Sequence, residues 1–336
     1  MSGAGDVLED LSSRDEDLTY FAFAKPVATH RDAMQVRPEP VPDVLAGRYR
    51  LERLLGAGGM GVVYRARDLL QEQFGDPEPY VALKMLCDEY ADCVDASALL
   101  FSEFALTRRV QHPNVVRLYG FEADTRCNRA FITMELMRGL TLDKLLCERP
   151  MGLPWPELRD IALPLIDALA HVHSRGVLHG DIKPSNVMVG EEGLRLFDFG
   201  LGLAEEDALP GLPKLSRHGF HAWTFGYAAP ELLDGSPLVA SADVFSVACV
   251  IYELACGKHP LRRVPSNQAR DVGMEVEPLT SSHLPKRCWT SLKTALSFDP
   301  SKRHITVAQL RQDFASASNF KLLQGWRRLF SNRFRQ

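Results

Sequence analysis

The chain has 336 residues, 46% of them hydrophobic, which is enough to bury the core of one large domain or two lobes and too much for a disordered polypeptide. A formal net charge of -4 gives no overall attraction for nucleic acid, so none is expected as a partner and any basic surface must be local. The seven cysteines form no CxxC pair and no Cys/His set at zinc-ligand spacing, which excludes a disulfide framework or zinc module and fits a reduced, cytoplasmic chain.

The start, MSGAGDVLEDLSSRDEDL, is acidic and lacks the basic head and apolar run of a secretory signal. Residues 1–47 show no sustained period and carry RPEPVPDVLAG near their end, the composition of a flexible leader. After Gly47, YRLERLLGAGGMGVVYRARD alternates as two strands around a glycine turn, and YVALKML reads as a third strand. DASALLFSEFALTRRV then has helical spacing, with Leu99, Leu100, Phe104 and Leu106 apolar between charges. Strands with one helix make a small first lobe, about 48–135.

From about Thr141 helical patterns dominate: LRDIALPLIDALAHVHSRG, SADVFSVACVIYELACG and KRCWTSLKTALSF. VFSVACVIYELAC is the longest apolar run and is too short for a membrane span, so a buried helix is expected there. Short strand-like pieces, NVMVG and LRLFDF, lie between the first two helices. The fold class predicted is α+β and bilobal, a β-rich lobe followed by a larger helical lobe of about 140–315, with a ligand cleft between them at ITMELMRG. The last stretch, KLLQGWRRLFSNRFRQ, belongs to a separate basic tail of 316–336. It places Leu322, Leu323, Trp326, Phe330 and Phe334 near one helical face, which suits an anionic membrane surface, a partner, or packing back on the large lobe.

GAGGMGVV sets glycines at 56, 58 and 61, where the missing side chain lets backbone approach phosphate oxygens. Alone, the pattern is as much an ordinary hairpin; it leads into another strand rather than a helix, which disfavours a dinucleotide-binding domain. Lys84 is an ammonium within the apolar strand VALK and needs a carboxylate or phosphate partner, which Glu103 on the next helix can supply. In HGDIKPSNVMV, Asp181 can accept or orient a hydroxyl proton, Lys183 can neutralise a moving phosphoryl group, and Asn186 can offer an oxygen to Mg2+. FDFG then brings Asp198, a second oxygen ligand suited to the same ion.

The order GxGxxGxV, VALK, helix glutamate, HxDxKxxN, DFG and AAPE across two lobes resembles the eukaryotic-type protein kinases, a signature known as a set and recognised here as one. The resemblance runs from about Tyr49 to Phe314, and GAGGMGVVYRARD with HGDIKPSN is most similar to bacterial members. It implies a serine/threonine protein kinase using ATP and Mg2+, the branch being indicated by Lys183. By the same resemblance Gly56, Gly58 and Gly61 cover the phosphates, and Lys84, paired with Glu103, holds them. Val63 with Ala82 roofs the adenine, Met188 floors it, Met134 is the gatekeeper, and Glu135 and Met137 form the hinge. Asp181 is implied as the base, Lys183 as the phosphate-facing cation, and Asn186 and Asp198 as metal ligands.

TFGYAAPE resembles the segment that seats the substrate, so Thr224 is expected at Asp181 and Lys183, Glu231 on Arg303, and Asp243 anchoring the catalytic loop. Where most of that family has arginine, this chain has Gly180. The arginine serves a phosphorylated activation loop, so its loss removes a switch rather than chemistry, and the glycine is expected to loosen the loop. Ser216, with Lys214, Arg217 and His218 nearby, is a candidate autophosphorylation site. A nucleotide-binding scaffold that transfers no phosphate is the alternative, and a small-molecule kinase is disfavoured by TFGY and AAPE.

Overall fold

The computed structural model describes residues 41–58, 61–90, 93–205, 209, 224–280 and 284–317. Most of the leader, Ser216 with its basic neighbours, and the basic stretch 321–336 lie outside the described residues. Among the described residues no helix is long and apolar enough to cross a membrane.

The first lobe is a six-stranded antiparallel sheet in the order β1-β2-β3-β4-β6-β5. Its strands are β1 (Val44–Leu45), β2 (Tyr49–Gly58), β3 (Gly61–Asp68), β4 (Tyr80–Leu86), β5 (Leu118–Asp124) and β6 (Arg129–Glu135). The sheet reaches back into the stretch read as leader: Val44 pairs with Arg50, and the Ala46 amide donates to Asp124 Oδ2 at 2.6 Å. A two-residue strand is too short to register as an alternating pattern. A short helix α1 (Leu69–Gln73), capped by the Asp68 carboxylate, also joins the lobe, so among the described residues it holds two α-helices rather than one.

Helix α2 (Val94–Arg109) lies across β4, β5 and β6. Ala96, Leu99, Leu100, Phe104 and Leu106 are buried at helical spacing, and Glu103 falls on the same stripe. Arg108 and Arg109 in the last turn oppose the negative end of the helix dipole. Glu103 is thereby carried inward, toward β4.

The second lobe contains β7 (Leu140–Thr141), α3 (Leu142–Glu148), α4 (Trp155–Ser174), β8 (Val177–Leu178), β9 (Val187–Gly190), β10 (Gly193–Leu196) and β11 (Leu203–Ala204). It continues with α5 (Pro230–Leu233), α6 (Ala240–Cys256), α7 (Ser266–Asp271), α8 (Lys286–Ala295) and α9 (Val307–Ser316). Helix α6 is mostly apolar, buried along nearly its whole length, and sits in the middle of the core, with α4 and α8 against it and α9 packed on α4 and α8. The small sheets β10-β9-β7 and β11-β8 lie on the lobe's cleft side and carry the loops 179–186 and 197–202 between their strands.

Arg303 is buried just before α9, and its guanidinium grips Glu231 of α5 bidentately at 2.7 and 2.8 Å while also donating to the Ser241 carbonyl at 2.9 Å. One planar cation thus ties the segment preceding α6 to the base of the lobe. Replacing Arg303 with Ala leaves the Glu231 carboxylate without its cation and should cost about 3–5 kcal/mol in urea unfolding. Adding Glu231→Ala should cost much less than the sum of the two single changes; additive losses would contradict the pairing.

Candidate active site

The cleft between the lobes gathers the residues singled out in the sequence. On its upper side β2 and β3 meet as a hairpin, with Gly56 opposite Val63 and Gly58 opposite Gly61. A side chain at Gly61 would come 3.1 Å from the Met85 carbonyl and 3.5 Å from the Lys84 Cε, so β3 runs close to β4 there and leaves little room for a side chain.

One buried cluster holds Val63 and Ala82 from above, Met134 from β6, Met137 from the connection between the lobes, and Met188 from β9. Leu55, Val116 and Phe197 complete it and were not anticipated. Leu55 was legible as the residue before the first glycine; Val116 and Phe197 come from separate stretches and meet only through the fold. Glu135 ends β6, and its carboxylate accepts from the Arg117 amide at 2.8 Å and Arg195 Nε at 3.0 Å, bracing the connection from outside.

Lys84 Nζ donates to both oxygens of Glu103, at 2.7 and 2.8 Å, and to Asp198 Oδ1 at 2.9 Å. Burial works against its charge, but Asp198 and Glu103 outweigh burial and raise its pKa above that of ordinary lysine. Burial likewise opposes ionisation of Asp198, yet Lys84 and Lys183 hold its carboxyl below the usual range. Asp198 has a left-handed backbone, φ 66, a strained conformation for a non-glycine residue that its ion pair and neighbours maintain.

The loop after β8 supplies the other half. Asp181 Oδ1 accepts the Thr224 hydroxyl at 2.8 Å, and Asp181 Oδ2 accepts Lys183 Nζ at 2.6 Å. Lys183 also reaches Thr224 Oγ1 at 3.1 Å. Asn186 is fully buried, and its amide NH2 donates to the Asp181 carbonyl at 2.8 Å and to Oδ2 at 3.2 Å. That orientation leaves Asn186 Oδ1 buried with no hydrogen-bond partner among the described residues. An orphaned buried oxygen on a side chain that also meets the Asp181 carboxylate fits a divalent cation, which takes hard oxygen ligands.

The loop is shaped from below by Asp243 in the first turn of α6. Its carboxylate accepts the amides of His179 and Gly180, both at 2.8 Å, and His173 Nε2 lies 2.9 Å away. Burial would push its pKa up, but the His173 bond and these partners hold it low, so it stays ionised. His179 is itself buried, its Nδ1 accepting the Asp181 amide at 3.2 Å and its Nε2 donating to the Phe197 carbonyl at 3.1 Å. Burial lowers its pKa and keeps the ring neutral. This imidazole joins the loops 179–186 and 197–202 directly.

The protein kinase domain family matches residues 49–314. The chain belongs to that family. Bacterial kinases are among its relatives: RqkA of Deinococcus radiodurans, described as a DNA damage-responsive serine/threonine-protein kinase, is 36% identical over 219 residues, 65% of this chain and 31% of that protein. The serine/threonine-protein kinase PkaA of Streptomyces coelicolor is 30% identical over 268 residues, 77% of this chain and 48% of its own. PknE of Mycobacterium bovis is 33% identical over 216 residues, 64% of this chain and 36% of its own. The chain thus spans less than half the length of these relatives. The kinase domain of Mycobacterium tuberculosis PknI, solved as a point mutant, shares the fold, with a TM-score of 0.58 at 24% identity covering 84% of this chain and 99% of that one.

Gly180 does not loosen the kinase loop as its residue type suggested. It sits at φ +80, its amide held by Asp243, and a Cβ there would lie 2.6 Å from the Leu201 carbonyl and 2.9 Å from Leu238 Cδ2. The site requires a left-handed backbone, which glycine adopts without strain. Gly180→Ala should therefore destabilise the protein by about 1–2 kcal/mol from the backbone alone, read by urea unfolding. A more stable variant would contradict this account of the loop.

Proposed function

We propose that the chain is an ATP-dependent serine/threonine protein kinase. The observation that carries the reading is at Asp181, where a hydroxyl already rests 2.8 Å from the carboxylate with the Lys183 ammonium alongside. An incoming Ser or Thr hydroxyl placed the same way would have its proton accepted or its lone pair aimed by Asp181. Lys183 would stabilise negative charge on the phosphoryl group as it moves.

The nucleotide end is built from the remaining residues. Val63, Ala82 and Met188, with Met134 and Met137 at the side, form an apolar cluster against which a flat purine would pack. The backbone at Glu135 and Met137 would orient its edge. Gly56, Gly58 and Gly61 would lie over the phosphates, and Lys84, fixed by Glu103, would point at them. Asn186 Oδ1 and Asp198 would hold Mg2+, whose contribution when bound is to offset the triphosphate charge. Arrangement of these groups before substrate arrives is what such catalysis requires, since positioning and electrostatics do most of the work.

Regulation follows from Gly180. With no arginine in the catalytic loop there is no cation at that position to receive a phosphorylated activation segment, so assembly of the site should rest on the Asp243 and Lys84 contacts instead. The cytoplasm is the proposed location, in keeping with seven free thiols, and contact of the basic tail with a membrane surface belongs to the same proposal.

Labelled Mg·ATP, a general basic acceptor protein and mapping of phosphosites by mass spectrometry test the activity. Wild type should modify Ser or Thr, and Asp181→Asn should lower the rate by at least about 100-fold while still binding nucleotide. Nucleotide binding without transfer by wild type would leave a scaffold in place of an enzyme.

A further inference from the structure

The segment 224–227 is pinned at both ends. Thr224 holds Asp181 and Lys183, while the Tyr227 hydroxyl donates to the buried Glu253 of α6 in a short bond. Between them Phe225 is 62% exposed, next in the chain to the hydroxyl that Asp181 holds.

The second pin has its own support in residues 257–265, which follow α6. His259 is buried, its ring edge-on to Tyr227 at 4.9 Å between centroids and its Nε2 facing Gly226. Its Nδ1 accepts the amides of Leu261 and Arg263, both at 3.1 Å, so the ring proton resides on Nε2. Between those amides the backbone turns through two consecutive left-handed residues, Arg262 at φ 49 and Arg263 at φ 62. Long side chains avoid that conformation, and neighbouring structure must hold them in it. The turn delivers the Arg263 guanidinium onto Glu253 Oε1 at 2.7 Å and toward the Tyr227 hydroxyl at 3.4 Å. Strain spent on a largely exposed arginine would be a poor way to stabilise a surface loop, but it fixes one end of the segment that faces the acceptor.

We propose that His259 and Arg263 are positioning residues for the protein acceptor: the imidazole fixes the left-handed turn, and the turn fixes the guanidinium that pins Tyr227 and Glu253. Neither residue touches the reacting atoms. The inference rests on the protein kinase reading of the site and adds the part that sets the height and rigidity of the acceptor platform.

The test is steady-state kinetics on the full chain with Arg263→Gln, Arg263→Lys, His259→Ala and His259→Asn. Arg263→Gln and His259→Ala should raise KM for the acceptor protein about tenfold and move KM for ATP less than about twofold. Arg263→Lys restores the cation and His259→Asn restores an acceptor near the Nδ1 position, so both should recover most of the loss. Parallel rises in both KM values, or an unchanged acceptor KM, would overturn the assignment. Hydrogen exchange supplies a readout independent of turnover: protection at Gly226 and Tyr227 should fall in Arg263→Gln while that at Lys84 holds, and unchanged protection would overturn the clamp. If wild type transfers no phosphate, the kinase reading fails and the exchange result alone decides the clamp.

Discussion

A lysine ammonium shut away from water must find carboxylates, and Lys84 finds two that arrive from different parts of the chain. Glu103 is brought by the buried stripe of α2, and Asp198 by the turn after β10 in the other lobe. The pairing therefore fixes more than one side chain: it sets how α2 lies on the sheet and how the first lobe faces the second. Removing any one of the three leaves a buried charge short of a partner, which typically costs about 3–5 kcal/mol. The left-handed backbone of Asp198 is tolerated on these terms.

The same logic recurs one layer down. Asp243, ionised inside α6, takes the amides of His179 and Gly180 and so dictates the path of the loop that carries Asp181, Lys183 and Asn186. Helix α6 can hold a charge there because the loop's own donors satisfy it, and because the helix is immobilised by the core. Its other end places Glu253 under Tyr227. One buried helix thus fixes the loop 179–186 with its first turn and the segment 224–227 with its last.

The strands around the glycine hairpin, α2 and the three long helices of the second lobe were legible because each carries a sustained period of apolar residues. Val44 and Leu45, α1 and the two-residue strands were not, since a short element leaves no period to read. Lys84 stood out because a charge in an apolar strand demands a partner, and Asp181, Asn186 and Asp198 because their oxygens can take a proton or a hard cation. Their company in one cleft came from spacing compared with a known family and was not derivable from composition. Gly180 was misread as a source of looseness because sequence names the residue without its φ; at +80 it is the residue under least strain. His259 and Arg263 carried no signal, since an acceptor nitrogen and a left-handed turn exist only once the chain is folded.

The central claim is that buried carboxylates, and not a phosphate on the activation segment, hold this site together. It is tested most directly by following phosphoryl transfer from the first turnover in protein treated with phosphatase, which is removed before Mg·ATP is added. Transfer should begin without a lag, at the rate of untreated protein. A lag abolished by preincubation with Mg·ATP would contradict the account and show that phosphate is needed to assemble the site.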